Sequence, residues 1–237
     1  MKNGKLVSYI KDKNFLFFSS LLIAYGLFLS IFSVADFPTS MKVGFMPYLS
    51  DKPLGEDGFY MLDVAWNIAN NKGISYSGFP TTGIQPLATF LYSLLAWINI
   101  NFLGANKWLF VRHIIFFGTI THIIFSYLLG CICTYLYKKK KVNNVLIFRI
   151  GSSLTIFSFG LYRISTYGLE TGLYLIGLSY FLLFLLINLD NGNKLNRFNI
   201  SYIGLISGLL ILTRIDFVII LAVTLVILNI KKLLSIY

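Results

Sequence analysis

The amino-acid sequence predicts an all-α membrane protein, with about six transmembrane helices and two interfacial helices in a long first outer loop. Three observations predict it. Apolar residues make up 57% of the 237 and charged residues only 12%, with a mean hydropathy of +0.75, which is the composition of a multi-span membrane chain rather than a water-soluble domain. The apolar residues are gathered into long runs, several near the ~20 residues that a ~30 Å hydrocarbon core demands. The 20 Lys and Arg, against nine Asp and Glu, cluster at the ends of those runs, where basic residues set orientation. A net charge of +11 would suggest nucleic acid in a soluble chain. Once the span-end residues are set aside no basic face remains, so nucleic acid is excluded and the lipid bilayer is the expected partner.

Lys2, Lys5, Lys11 and Lys13 precede an apolar run from Phe15 to Val34. The run is too long for a signal peptide and lacks a small-x-small cleavage site, so it reads as an uncleaved first span with a cytoplasmic N-terminus. In the polar stretch that follows, Met61, Val64, Ala65 and Ile68 recur at helical spacing, with Asp63, Asn67 and Asn70 as a second stripe. This predicts an amphipathic helix over 57–71, lying on the membrane surface and ended by Gly73. Glu56 and Asp57 stand at its positive N-terminal end, where acids are favoured.

The run Pro86 to Phe102 can be read in two ways, and the basic residues separate them. If it spans, 8 of the 20 basic residues lie inside and 12 outside; if it is a second surface helix, 13 lie inside and 7 outside. The second arrangement obeys the positive-inside rule, and it leaves only Asp12 and Asp190 of the acids inside. The remaining spans then follow at about 114–137, 145–161, 171–189, 200–212 and 215–230. The last two are short, reaching about 20 and 24 Å at 1.5 Å per residue. Thr213-Arg214-Ile215-Asp216 between them is therefore expected in a polar pocket near the outer leaflet. The chain reads as one membrane domain, 1–237: a first span at 15–34, an outer loop with surface helices at 35–107, and further spans at 108–237.

Several residues carry no site of their own. Cys131 and Cys133 point some 200° apart on a helix and form no redox or zinc pair. His113 and His122 are about 180° apart and are not a metal pair. Trp97 and Trp108 suit interfacial anchoring, and 190–197 suits a solvated inner loop.

This topology brings Tyr162 to Tyr167 (with Arg163), Gly168 to Thr171 (with Glu170), and Thr213 to Asp216 to the outer side, beside the first loop. Acids and arginines gathered at one membrane face can serve a phosphorylated lipid substrate, a carboxylate taking a proton from an acceptor hydroxyl and an arginine holding a leaving phosphate. They can equally be interfacial anchors.

Four short segments, in order, bear on that choice: Glu56-Asp57-Gly58-Phe59-Tyr60, Thr82-Gly83-Ile84-Gln85-Pro86-Leu87, Tyr167-Gly168-Leu169-Glu170-Thr171-Gly172-Leu173-Tyr174, and Leu212-Thr213-Arg214-Ile215-Asp216. Together they resemble the outer-face segments of bacterial GT-C glycosyltransferases of the dolichyl-phosphate-mannose mannosyltransferase-like type. Thr82 and Ile84 depart from that pattern, where Asn and an aromatic residue are usual. The resemblance implies transfer of a sugar from a polyprenyl-phosphate donor to a cell-envelope glycan, lipid or protein on the outer side of the plasma membrane. It implies Asp57, with neighbouring Glu56, as catalytic base or metal ligand. Gln85, Glu170, Arg214 and Asp216 fall on matched segments and are expected to bind substrate. Arg163 or Arg214 is assigned to the phosphate from charge and topology. No organic cofactor is implied, and a divalent cation is left open. Such proteins continue with further spans, so the resemblance covers an N-terminal part and implies a missing C-terminal region or a partner subunit. A catalytically inactive scaffold or a transporter-like subunit is the alternative reading, although a transporter should show paired broken helices and one break occurs here.

Overall fold

A computed structural model describes residues 9–32, 54, 56–137, 143–190 and 197–234. Expectations that rest on Lys138 to Lys141, on 33–53 or on the loop 191–196 lie outside the described residues. After a 3-10 turn at Tyr9–Lys11, the helices are α1 (Lys13–Phe32), α2 (Glu56–Ala69), α3 (Pro86–Leu103), α4 (Lys107–Tyr137), α5 (Asn144–Ile156), α6 (Phe159–Thr166), α7 (Thr171–Asp190), α8 (Arg197–Thr213) and α9 (Phe217–Leu234). A hairpin of β1 (Ser75–Tyr76) and β2 (Phe79–Pro80) sits between α2 and α3.

The molecule is mostly helical, as expected of this class. Among the described residues four stretches, Lys13–Ile31, Pro86–Leu103, Leu109–Tyr137 and Thr171–Asn188, are long and apolar enough to cross a membrane. A fifth is present if α5 and α6, bent by 61° at their junction, count as one. The run expected to cross unbroken over 145–161 instead stops at Ile156. Asn199–Thr213 and Phe217–Val226, expected as spans, are shorter apolar helices. Pro86–Leu103, placed at the surface by the charge count, is itself of spanning length and composition.

Local chemistry explains most boundaries. The Asp12 carboxylate accepts from the backbone N–H groups of Asn14 and Phe15, both at 3.1 Å, and so caps α1. Pro86 opens α3 and Gly104, at φ 57°, closes it, the usual asymmetry of helix ends. Asn106 and Asn143 cap α4 and α5 through side-chain oxygens at 3.0 Å from backbone N–H groups. The end of α2 differs from the expectation at Gly73. Asn71 takes the left-handed position at φ 59°. The N–H groups of Asn71 and Lys72 then bond the carbonyls of Ile68 and Asn67, a Schellman closure two residues earlier.

α4 is the central helix, packed against α1, α5, α6 and α7. Phe15 meets Tyr127 while Gly26 lies against Thr119, so α1 and α4 run antiparallel. Two cores mark the ends of this bundle. At one end Tyr9, Phe15, Phe148 and Leu183 pack together, and Arg149 pairs with Asp12 at 2.9 Å. At the other, Leu29, Met61, Leu62, Tyr92, Phe110 and Ile115 form the floor beneath α2 and α3. A third cluster, around Phe181, Leu210 and Phe217, seats α8 and α9 against α7.

Candidate functional site

α2 buries its apolar stripe in the second of these cores, with Met61, Val64 and Ala65 at 4% exposure or less. Of its polar stripe only Asn70 is left exposed. Asp63 and Asn67 are buried beneath the hairpin, where Asn67 Nδ2 donates to the Ser75 carbonyl at 2.9 Å and the Ser77 N–H donates to Asp63 at 3.3 Å. Ser77 and Gly78 both have positive φ, the two-residue turn geometry that matches strand twist in a tight hairpin. The Ser-Gly pair between Tyr76 and Phe79 is a signal for this turn that periodicity alone overlooks.

The N-terminus of α2 is fixed by contact between two glycines. A Cβ on Gly58 would stand 2.0 Å from the Tyr167 carbonyl oxygen, and one on Gly168 would stand 3.3 Å from the Gly58 Cα. Gly168 also has φ +85°, a conformation side chains resist. The absence of both side chains lets the backbone before Glu170 touch the first turn of α2, so Asp57 and Glu170 are held to a common opening. From α3, the Tyr92 hydroxyl donates to the Leu169 carbonyl at 2.9 Å and holds the same turn from below. The loop before α3 is tied to α2 by the hydrogen bond between the Tyr60 and Thr81 hydroxyls, and the Gly83 N–H donates to Thr81 Oγ1 at 3.4 Å.

These contacts enclose a cavity of about 320 Å³, lined by Asp57, Tyr60, Gln85, Thr89 and Glu170 among others. Small-molecule sites begin near this size. Thr89 is fully buried and its hydroxyl has no hydrogen-bond partner among the described residues. It was not singled out from the sequence, because a threonine in the first turn of an apolar helix carries no pattern of its own.

Arg214 reaches the site from the break between α8 and α9. Its Nε stands 3.6 Å from Glu170 and its Nη2 2.9 Å from Asp216, and its guanidinium lies 5.8 Å from the centre of the Tyr174 ring. Burial pushes the Glu170 carboxyl above its ordinary range. Nearby Asp216 and Asp57 add to the rise, while its own backbone hydrogen bond and Arg214 oppose it. The cavity can therefore present an open carboxyl group at Asp57, a buried one at Glu170, an amide at Gln85 and a cation at its edge.

Of the residues expected to form a site, Asp57, Gln85 and Glu170 line one cavity, with Arg214 and Asp216 joined to it through Glu170. Arg163 is exposed on α6 and lines none of it. Glu56 is the first residue of α2, and its side chain lies outside the described ones. Among the described residues no group of three or more His, Cys, Asp or Glu stands together as a metal site. His113 pairs with Asn99. His122 is buried, its Nε2–H donating to the Thr155 carbonyl at 3.1 Å. No family model, curated protein or solved structure matches the chain.

Proposed function

We propose that this chain is a membrane glycosyltransferase, moving a sugar from a polyprenyl-phosphate donor to a cell-envelope acceptor on the outer side of the plasma membrane. The observation that carries the reading is convergence. Segments around 57, 85, 170 and 214, distant in the chain, meet at one cavity with two carboxylates, an amide and a guanidinium. In the reaction, Asp57 takes the proton of an acceptor hydroxyl as its oxygen attacks the anomeric carbon. The bond from that carbon to the phosphate oxygen breaks, and the phosphate leaves on its lipid. Arg214, beside the cavity, is better placed than Arg163 to neutralise the departing charge.

The expected topology fits this use of the cavity. Antiparallel α1 and α4 bring Phe32 and Lys107 to the same end of the bundle, whereas one crossing by Pro86–Leu103 would put them on opposite faces. This favours α2 and α3 as parts of one loop at that end of the bundle; the distribution of basic residues is what assigns that end to the outside, with the start of α1 paired through Asp12 to the opposite, inner end of α5.

The test is transfer of radiolabelled sugar from polyprenyl-phosphate donors in membranes holding equal amounts of wild type and Asp57→Asn. Loss of a general base should lower the rate about 10²- to 10⁴-fold. Equal transfer by the two proteins would remove Asp57 from the mechanism. No transfer by wild type, with the chain expressed and the donor pool supplied, would overturn the enzyme reading for this chain.

A further inference from the structure

Helix α2 divides two cavities. Asp57 and Tyr60 face the one already described. On another side Asp63 and Asn67 face a second, of about 440 Å³, completed by Lys72, Ser75, Ser77, Gly78 and Lys107. Its wall is built rather than incidental, since Asp63 and Asn67 are 5% and 6% exposed and the hairpin is bonded to both.

The charges of this cavity are lopsided. Asp63 is already engaged by Lys107 Nζ at 2.6 Å, by the Ser77 N–H at 3.3 Å and by Asn67 Nδ2 at 3.4 Å. Two lysines against this one carboxylate leave the lining with a net positive charge. Lys107 is also the first residue of α4, where a cation is disfavoured by the partial positive charge of the helix end. With Lys107 bonded to Asp63, the Ser77 N–H on the same carboxylate and the Ser75 hydroxyl on the Lys72 carbonyl, Lys72 and the α4 helix end supply positive potential beside the lining Ser77 and Gly78, which is chemistry that can hold a tetrahedral oxyanion.

We propose that this second cavity binds a phosphate group, carried by a lipid head group or by a phosphorylated glycan. It is separate from the Asp57 cavity and does not depend on glycosyl transfer.

The test is saturable binding of radiolabelled inorganic phosphate to the full chain in maltoside micelles, which contain no phosphate of their own. Losing one charge-assisted hydrogen bond, about 1.5–3 kcal/mol, should weaken binding about tenfold or more in Lys72→Gln. Asp63→Asn, which removes the opposing negative charge, should tighten it. Displacement by phosphatidylglycerol marks a lipid source, and displacement by a hexose phosphate marks a glycan; either supports the proposal. Absence of saturable binding by wild type overturns it. So does unchanged binding by Lys72→Gln, since the phosphate would then sit elsewhere, as on Arg214. Binding that survives Asp57→Asn, in a chain that transfers no sugar, keeps this result distinct from the fate of the enzyme reading.

Discussion

Glu170 is the residue on which the site's electrostatics turn. Its carboxyl is raised above the ordinary range by burial, so between its unfolded and folded pKa values the native state binds the extra proton. Native stability should therefore fall as pH rises through that window, and the loss should be complete above the folded value. Thermal unfolding followed against pH should show this slope in wild type and a flatter profile in Glu170→Gln, which has no proton to lose. A wild-type profile flat across the carboxylate range would mean that the Arg214 pair cancels the cost of burial. Asp57 and Glu170 could be picked from the sequence because they fall on segments that resemble those of the glycosyltransferase family. That one is open to water and the other buried beside an arginine was not legible, because burial depends on what packs over a residue and local spacing does not report it.

At the scale of elements, the site depends on how closely the first turn of α2 approaches the turn before α7. Gly58→Ala drives a methyl into the Tyr167 carbonyl, backbone against backbone with no side chain to swing away. Such overpacking costs about 1–3 kcal/mol, and at this chain length about 2–4 °C of melting temperature per kcal/mol. Gly160→Ala, where a Cβ would meet nothing within 4 Å, is the control and should melt like wild type. Equal melting of the two variants would show that α2 does not need this contact. Which glycines bring two segments into contact is a matter of partner geometry, which local sequence does not report. The hairpin is a further case. The polar stripe of α2 matched a water-facing surface by period, yet Asp63 and Asn67 turned inward once Ser75 and Ser77 arrived to bond them. Hydrogen bonding from a distant segment overrode the amphipathic pattern.

The break between α5 and α6 belongs to the same scale. His122, fully buried on α4, donates to the Thr155 carbonyl at the end of α5 and lies 3.3 Å from Ser165 on α6, spanning the 61° bend. An unbroken span was expected here because composition continues smoothly through Phe157. The Thr155 carbonyl and the Ser165 hydroxyl at the bend are met from another helix, and such compensation is invisible in a local window.

At the scale of the whole molecule, the testable quantity is which end of the bundle faces out. The Asp12–Arg149 pair puts the start of α1 and the start of α5 together, at the end opposite the cavity. Asn143→Cys should resist an impermeant thiol reagent in intact cells, and Asn70→Cys, exposed at the end of α2, should react. Reaction at Asn143 without reaction at Asn70 would invert the molecule and bring the cavity to the cytoplasmic side.

By itself the sequence determined the class, most of the helix positions and the chemical types available for a site, because hydrophobic runs, helical period and capping residues act over one or two turns. The tertiary structure alone decided that Asp57, Gln85 and Glu170 share a cavity, that Arg214 rather than Arg163 stands beside it, and that α2 walls a second, cationic cavity. Those outcomes rest on contacts between residues tens to more than a hundred positions apart, where close backbone approach and the satisfaction of buried polar groups select one packing.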